Sequence, residues 1–194
     1  MLALSHQHGL LPYVVAVVAA MTVQEVFFTM GFSGEDTKQD KQARWKKVRE
    51  MWAGQGHSLA LGDVMVLLKA VGASEFVGCT PAFCESHGLR FKAMVEIRKL
   101  RIQLTNELNL LIPNLNLSVD PALEPPTDLQ AKLIRQVLLM GFSDHIAKKM
   151  TDEERCSQTE NAIAKNAYKS MEVDGPVFIH PNSVLSGKQP PFVL

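Results

Sequence analysis

The sequence predicts a mainly α-helical protein, a helical bundle followed by the start of a small β-domain. Three observations predict this. Apolar residues recur near ~100° per residue along most of the chain up to Met150. Residues 80–112 read as a short capped helix, a turn at Ser86-His87-Gly88 and one long helix that stops before Pro113. Pro176-Val177-Phe178-Ile179-His180-Pro181 is the one strong strand signal, and Phe192-Val193-Leu194 opens a second strand with no room to finish.

Residues 1–8 read as the tail of a helix with no cap at its start, a hint that the chain is part of something larger, and Gly9 breaks it. Pro12 falls in the first turn of the next helix, 11–30, where its missing N–H costs little. That helix is apolar almost all round, then amphipathic through Gln24 and Glu25. Its apolar run covers about twelve residues, against ~20 for a membrane span. It reads as a buried core helix, and no targeting segment or membrane contact is expected. Residues 31–39 form a polar loop. Residues 41–52 resume a helix, with Trp45, Val48 and Trp52 on one face and Lys46, Lys47 and Arg49 turned elsewhere. That basic side reads as a solvated face, with an RNA contact as the alternative.

Gly54-Gln55-Gly56 ends the helix, and Ser58 is the expected cap of the next. Leu61, Val64, Leu68 and Val71 form its core stripe, and Gly72 its end. Thr80-Pro81 is a good cap and first turn for the short helix that follows. In the long helix, Met94, Ile97, Leu100, Leu104, Leu108 and Leu111 form one apolar stripe, and Phe91, Val95 and Ile102 a second. Lys92, Glu96, Lys99 and Gln103 are the polar strip. A helix apolar on most of its circumference is expected at the centre of the bundle. Residues 113–126 hold four of the ten prolines and form a loop. Thr127 or Asp128 caps a further helix, with Leu129, Leu133, Ile134, Val137 and Leu138 apolar, ending near Gly141. Residues 143–150 read as a last short helical piece and 151–166 as a charged linker or ragged helix.

Lysines and arginines number 20 and so do the acids, so the chain lacks a global basic signature, although 38–49 and 90–101 are locally basic. Three cysteines, Cys79, Cys84 and Cys156, are too few and too oddly spaced for a disulfide framework, which points to a reducing compartment. Cys79, Cys84 and His87 imitate three metal ligands, but no fourth stands at metal-site spacing, so no metal is expected. There is no nucleophile elbow, zinc-protease motif, Walker loop or paired acid and base, and the six histidines are scattered. No catalytic residue is predicted. Arg90 and Arg101 fall inside the first apolar stripe of the long helix, and Arg98 sits at its edge. A charge placed there is either paired within the bundle or faces a polar cavity or groove for an anion. Periodicity leaves both readings open.

Four stretches, in order, resemble the C-terminal accessory region of the DEAH-box RNA helicases. Phe83-Cys84, Leu89, Phe91-Lys92-Ala93-Met94 and Leu100-Arg101-Ile102-Gln103-Leu104 match that family's landmark helix without a gap. Phe83 stands where the family has Trp and Lys92 where it has Arg. Gly56-His57-Ser58-Leu59-Ala60-Leu61 is similar to its Gly-Asp-His-Leu-Thr-Leu, with His57-Ser58 in place of Asp-His. Ile134-Arg135, Gly141-Phe142 and Ile146-Ala147-Lys148-Lys149 follow, and 177–185 resembles the opening strand of an OB-fold. The pattern is closer to the nucleolar subgroup of small-subunit ribosome assembly, which acts on U3 small nucleolar RNA.

The resemblance implies a layout: the end of a winged helix and start of the bundle at 1–30, a helicase-associated ratchet bundle at 31–150, a linker at 151–175 and a truncated OB-fold start at 176–194. It implies an accessory part of an ATP-dependent RNA helicase in small-subunit rRNA processing and U3 release, located in the nucleolus. ATP and magnesium belong to RecA-like domains for which this chain carries no motif, so it is expected to hold no cofactor and to be inactive alone. Single-stranded or pre-ribosomal RNA, the parent's RecA domains and a helicase activator protein are the implied partners. Lys92 and Arg101 are the first candidates for contacting RNA or fixing the channel wall, and Arg98, Arg90 and Lys148 the second. The competing reading is a protein-interaction module that docks an activator or pre-ribosomal protein without touching RNA.

Overall fold

A computed structural model describes residues 2–28, 36–156 and 166–194. The chain divides into two compact units, 1–135 and 136–194. The first is helical. Helix α1 (Leu2–Gln7) ends at Gly9, whose φ of +66° lets Leu10 N–H turn back to the Ser5 carbonyl at 2.7 Å. Helix α2 (Leu11–Thr22) starts on Pro12 and buries Leu11, Tyr13, Val14, Val15, Ala16, Val17, Ala19 and Ala20. It lies against both α5 (Asp63–Phe76) and α7 (Phe91–Leu111), and α7 in turn lies against α5 as well as α2, so the two helices share the bundle's centre.

The expected helix over 11–30 stops at Thr22. Backbone pairing takes over beyond it: Arg90 N–H donates to the Val26 carbonyl and Phe28 N–H to the Gly88 carbonyl, both at 2.9 Å. This bridge between Phe27 and Leu89 satisfies polar groups that a longer helix would have left facing the entry to α7. Of the expected loop, 31–35 lies outside the described residues, and helix α3 (Asp36–Ala53) already covers 36–39. Trp45, Val48 and Trp52 face inward as expected, but Arg49 does too. Its guanidinium lies 4.3 Å from the centre of the Phe27 ring and its Nη2 donates to the Phe28 carbonyl, so only Lys46 and Lys47 remain on the solvated side.

Ser58 does not cap α5. It lies inside a one-turn helix, α4 (Gly56–Ala60), and Gly62, at φ +61°, is the residue before α5. Gly72 does not end α5 either, because its backbone is helical; the chain leaves at Gly78, φ +77°, with Cys79 N–H donating to the Ser74 carbonyl at 2.7 Å. Thr80 does cap α6 (Pro81–His87), its hydroxyl accepting from Phe83 N–H at 3.3 Å. Gly88 closes α6 in the left-handed region, and Leu89 N–H returns to the Cys84 carbonyl at 2.8 Å. The turn also has no room for a side chain: a Cβ on Gly88 would sit 2.6 Å from Trp45 Cγ.

Helix α7 buries Ala93, Met94, Ile97, Arg101, Thr105 and Leu108. Its second stripe is not buried, since Phe91 and Ile102 are exposed and Val95 is half-buried, and Leu111 of the first stripe is also exposed. The loop after Pro113 wraps back, with Asn109 pinning Leu117 through both its backbone groups at 2.8 Å and Tyr13 donating to the Glu124 carbonyl. Thr127 and Gln130 cap each other at the start of α8 (Asp128–Gly141), along which Leu129 is exposed.

The second unit is a four-stranded antiparallel sheet ordered β3-β2-β1-β4. Its strands are β1 (Ala147–Lys149), β2 (Ala167–Ser170), β3 (Pro176–Phe178) and β4 (Phe192–Val193). The two foreseen strands are its edges. The central pair was missed, because Ala-Lys-Lys and Ala-Tyr-Lys-Ser have little intrinsic strand preference and are held by pairing on both sides. The helical reading of 143–150 is therefore corrected: only Ser143–His145 is helical, as a 3-10 turn. A short helix, α9 (Asp152–Cys156), begins at a reciprocal cap between Thr151 and Glu154.

Candidate nucleic-acid interface

Strand register sets the main feature of the sheet. Residues directly opposite in an antiparallel pair point to the same side. Lys148 faces Lys169 across β1 and β2, and faces Phe192 across β1 and β4. All three are exposed, so two ammonium groups and one phenyl ring form a row on one face. The opposite face carries Ala147, Tyr168 and Val193, and is anchored where Tyr168 Oη donates to the Pro190 carbonyl at 2.8 Å. Like charges placed directly opposite weaken a sheet. Glu154 offsets them in part: hydrogen bonds from Thr151 hold its carboxyl below the usual range, and the fields of Lys148 and Lys169 add to that. A depression beside the row is also lined by Met150, Met171 and Asp174.

On α7 the predicted strip holds, with Lys92, Glu96, Lys99 and Gln103 all exposed. Arg90 is paired with Glu25, and it shares a shallow depression with Phe91 and Lys92. Arg98 and Arg101 lie on another side of the helix, next to α5. Arg98 Nε is 3.5 Å from Glu75 Oε1. Arg101 is only 3% exposed, and Glu75 7%. Burial holds the Arg101 guanidinium below its ordinary pKa, with the Glu75 carboxylate acting against this and the Arg98 charge adding to it. The structure thus brings Arg90 and Lys92 to one depression at the start of α7, and Arg98 and Arg101 to Glu75 of α5 farther along it. Lys148 lies in the sheet unit.

Several residues were passed over in the sequence. Lys169 and Phe192 become visible as partners of Lys148 only through strand register. Glu75 sits in an apolar helix and carried no motif. Asp144, His145 and Glu172 bring carboxylates and an imidazole within 4.8 Å, all exposed. The Asp144 hydrogen bond, at 3.0 Å, and then the Glu172 carboxylate raise the imidazole above its ordinary pKa. Cys79, Cys84 and His87 do not gather as ligands among the described residues. The His87 ring instead stacks on Phe83, with centroids 4.0 Å apart, and burial pushes the Cys84 thiol up. No helix among the described residues is long and apolar enough to cross a membrane.

Comparison with known proteins agrees with this architecture. The family model for the ratchet-like helicase associated domain (HA2) matches residues 1–67, and that for the oligonucleotide/oligosaccharide-binding (OB) fold matches 134–194. The human protein named "Probable ATP-dependent RNA helicase DHX37" is 49% identical across the whole of this chain, which spans 17% of that relative. The Drosophila melanogaster protein "Probable ATP-dependent RNA helicase kurz" is 46% identical, and the chain spans 16% of it. Saccharomyces cerevisiae "Probable ATP-dependent RNA helicase DHR1" is 27% identical over 98% of the chain. The ordered landmarks of α6 and α7, the two matched domains and these identities place the chain in the DEAH-box RNA helicase family, as its HA2 ratchet and OB-fold region.

Proposed function

We propose that this chain forms part of the RNA-contacting wall of an ATP-dependent DEAH-box helicase of ribosome biogenesis. The parent would act in the nucleolus, in small-subunit rRNA processing and release of U3 small nucleolar RNA, with ATP and magnesium held in its RecA domains. The names of the relatives support the helicase context. The row Lys169, Lys148 and Phe192 carries the RNA reading. Cations that follow a phosphate backbone beside an aromatic ring on which a base stacks are what single-stranded recognition requires, and such contacts position RNA without reading its sequence. Lys92 and Arg90 form a second, smaller contact. Arg98 ties α7 to α5 through Glu75 and so fixes the wall, and the buried Arg101 lies beside that contact. In the proposed layout 1–30 keeps the end of the winged helix and start of the bundle, while we move the start of the OB-fold back to α8, because β1 and β2, inside the ranges first given to bundle and linker, are the central strands of the sheet.

A protein-docking role is the second reading, favoured by the separation of the two basic pairs on α7. Fluorescence anisotropy with labelled single-stranded RNA on the whole chain decides between them. Lys148→Glu and Lys169→Glu are each expected to weaken binding by roughly ten-fold, with Lys92→Glu weakening it less. Wild-type affinity in both sheet variants, with native circular dichroism, would overturn the RNA reading of this face.

A further inference from the structure

A cavity of about 480 Å³ lies within the helical unit, between Tyr13 of α2, Leu68 and Gly72 of α5, Phe83 of α6, Arg101 of α7 and the loop 121–126. Its wall is mostly apolar, yet two cations line it. Arg101 is buried, and its Nε and Nη1 have no hydrogen-bond partner among the described residues. Lys69 is half-buried, has no ion-pair partner among the described residues, and is held by burial below its ordinary pKa. Glu75 does not balance them, because its carboxylate also serves Arg98. At the rim, the exposed Glu124 is the one opposing charge among the lining residues, and its field falls on the Tyr13 phenol.

A buried guanidinium with idle N–H groups is a costly arrangement unless something accepts from it. A mainly apolar cavity is a poor host for water. The occupant that satisfies both is an apolar group carrying an anion. Phe76 is 74% exposed and Val77 40%, and together they extend the apolar surface outward from the cavity mouth. Such a surface suits a polypeptide rather than a free small molecule. A polynucleotide would need cations along a groove, and here they are two and enclosed.

We propose that this cavity docks an acidic, apolar peptide segment of a protein partner, with one Leu- or Phe-sized side chain inside and an adjacent carboxylate on Arg101 and Lys69. The inference is independent of the RNA reading, since no residue of the sheet takes part in it.

The test is anisotropy of two fluorescein-labelled, end-capped peptides with the whole chain, Asp-Glu-Leu-Phe-Asp-Glu and its neutral counterpart Asn-Gln-Leu-Phe-Asn-Gln. The acidic peptide is expected to bind at least about ten-fold more tightly, and Arg101→Met and Lys69→Met each to weaken it about five-fold or more. Gly72→Leu keeps every charge and puts an isobutyl group into the cavity from a helical position where the Cβ meets only the Leu123 carbonyl, at 3.9 Å. It is expected to abolish binding with native circular dichroism. Lys148→Glu is expected to leave peptide binding unchanged. No saturable binding of the acidic peptide by folded wild-type chain, equal binding of the two peptides, or undiminished binding by Gly72→Leu would each overturn the proposal. The last two comparisons hold even if Arg101→Met fails to fold.

Discussion

Glu75 is the residue on which the most charge depends. It is nearly enclosed, lies on α5, and faces two guanidiniums of α7. Removing one partner of a buried pair leaves the other uncompensated, so Glu75→Gln is expected to lower unfolding stability by roughly 3 kcal/mol in urea titration. Arg101→Met, which takes away the buried charge and keeps the length, is expected to leave the midpoint unchanged or raise it. A second residue-scale prediction concerns His145. Its folded-state pKa is raised by Asp144 and Glu172, so the stability it contributes is fully present below its ordinary value of 6.5 and is lost as pH rises through the folded value. In an NMR titration its midpoint should lie above 6.5, and Asp144→Asn should bring it down.

Helix ends, more than helix interiors, position the elements. The α6–α7 turn is fixed by Thr80 at one end and Gly88 at the other. Thr80→Ala removes the acceptor for Phe83 N–H and is expected to cost about 1 kcal/mol. Gly88→Ala is expected to cost more, roughly 1–3 kcal/mol. Its φ of +72° is strained for alanine, and the new methyl would collide with the Trp45 ring. Thermal melts of the two single variants check both values and their order. Because Phe28 and Arg90 hydrogen-bond across this turn, its loss should also loosen the segment that follows α2. On α2 the run of small and β-branched residues gives a helix buried almost all round, which lets it pack against α5 and α7 together.

For the whole molecule, binding to single-stranded RNA should fall with salt, since phosphate contacts release counterions. Each lysine that meets a phosphate contributes about 0.7 to the slope of log K against log salt. The double variant Lys148→Gln/Lys169→Gln should therefore show a slope shallower by roughly 1.4, measured on the whole chain, with the exposed polar strip of α7 intact.

The sequence by itself determined the helical class, the caps and stops around α6 and α7, and the two edge strands of the sheet. These depend on local chemistry: Thr80-Pro81, Gly88, Pro113 and the β-branched and aromatic run after Pro176 act within a few residues of where they stand. The family followed from ordered motifs, also a linear property. What only the tertiary structure decided was non-local. Whether Arg101 is paired or idle depends on Glu75, which stands on another helix, and the cavity it lines is closed by a loop beyond Pro113. The facing of Lys148, Lys169 and Phe192 depends on strand register, and two of those strands have no strand-forming composition of their own. Composition and period along one chain describe faces. They do not describe what another element brings opposite them.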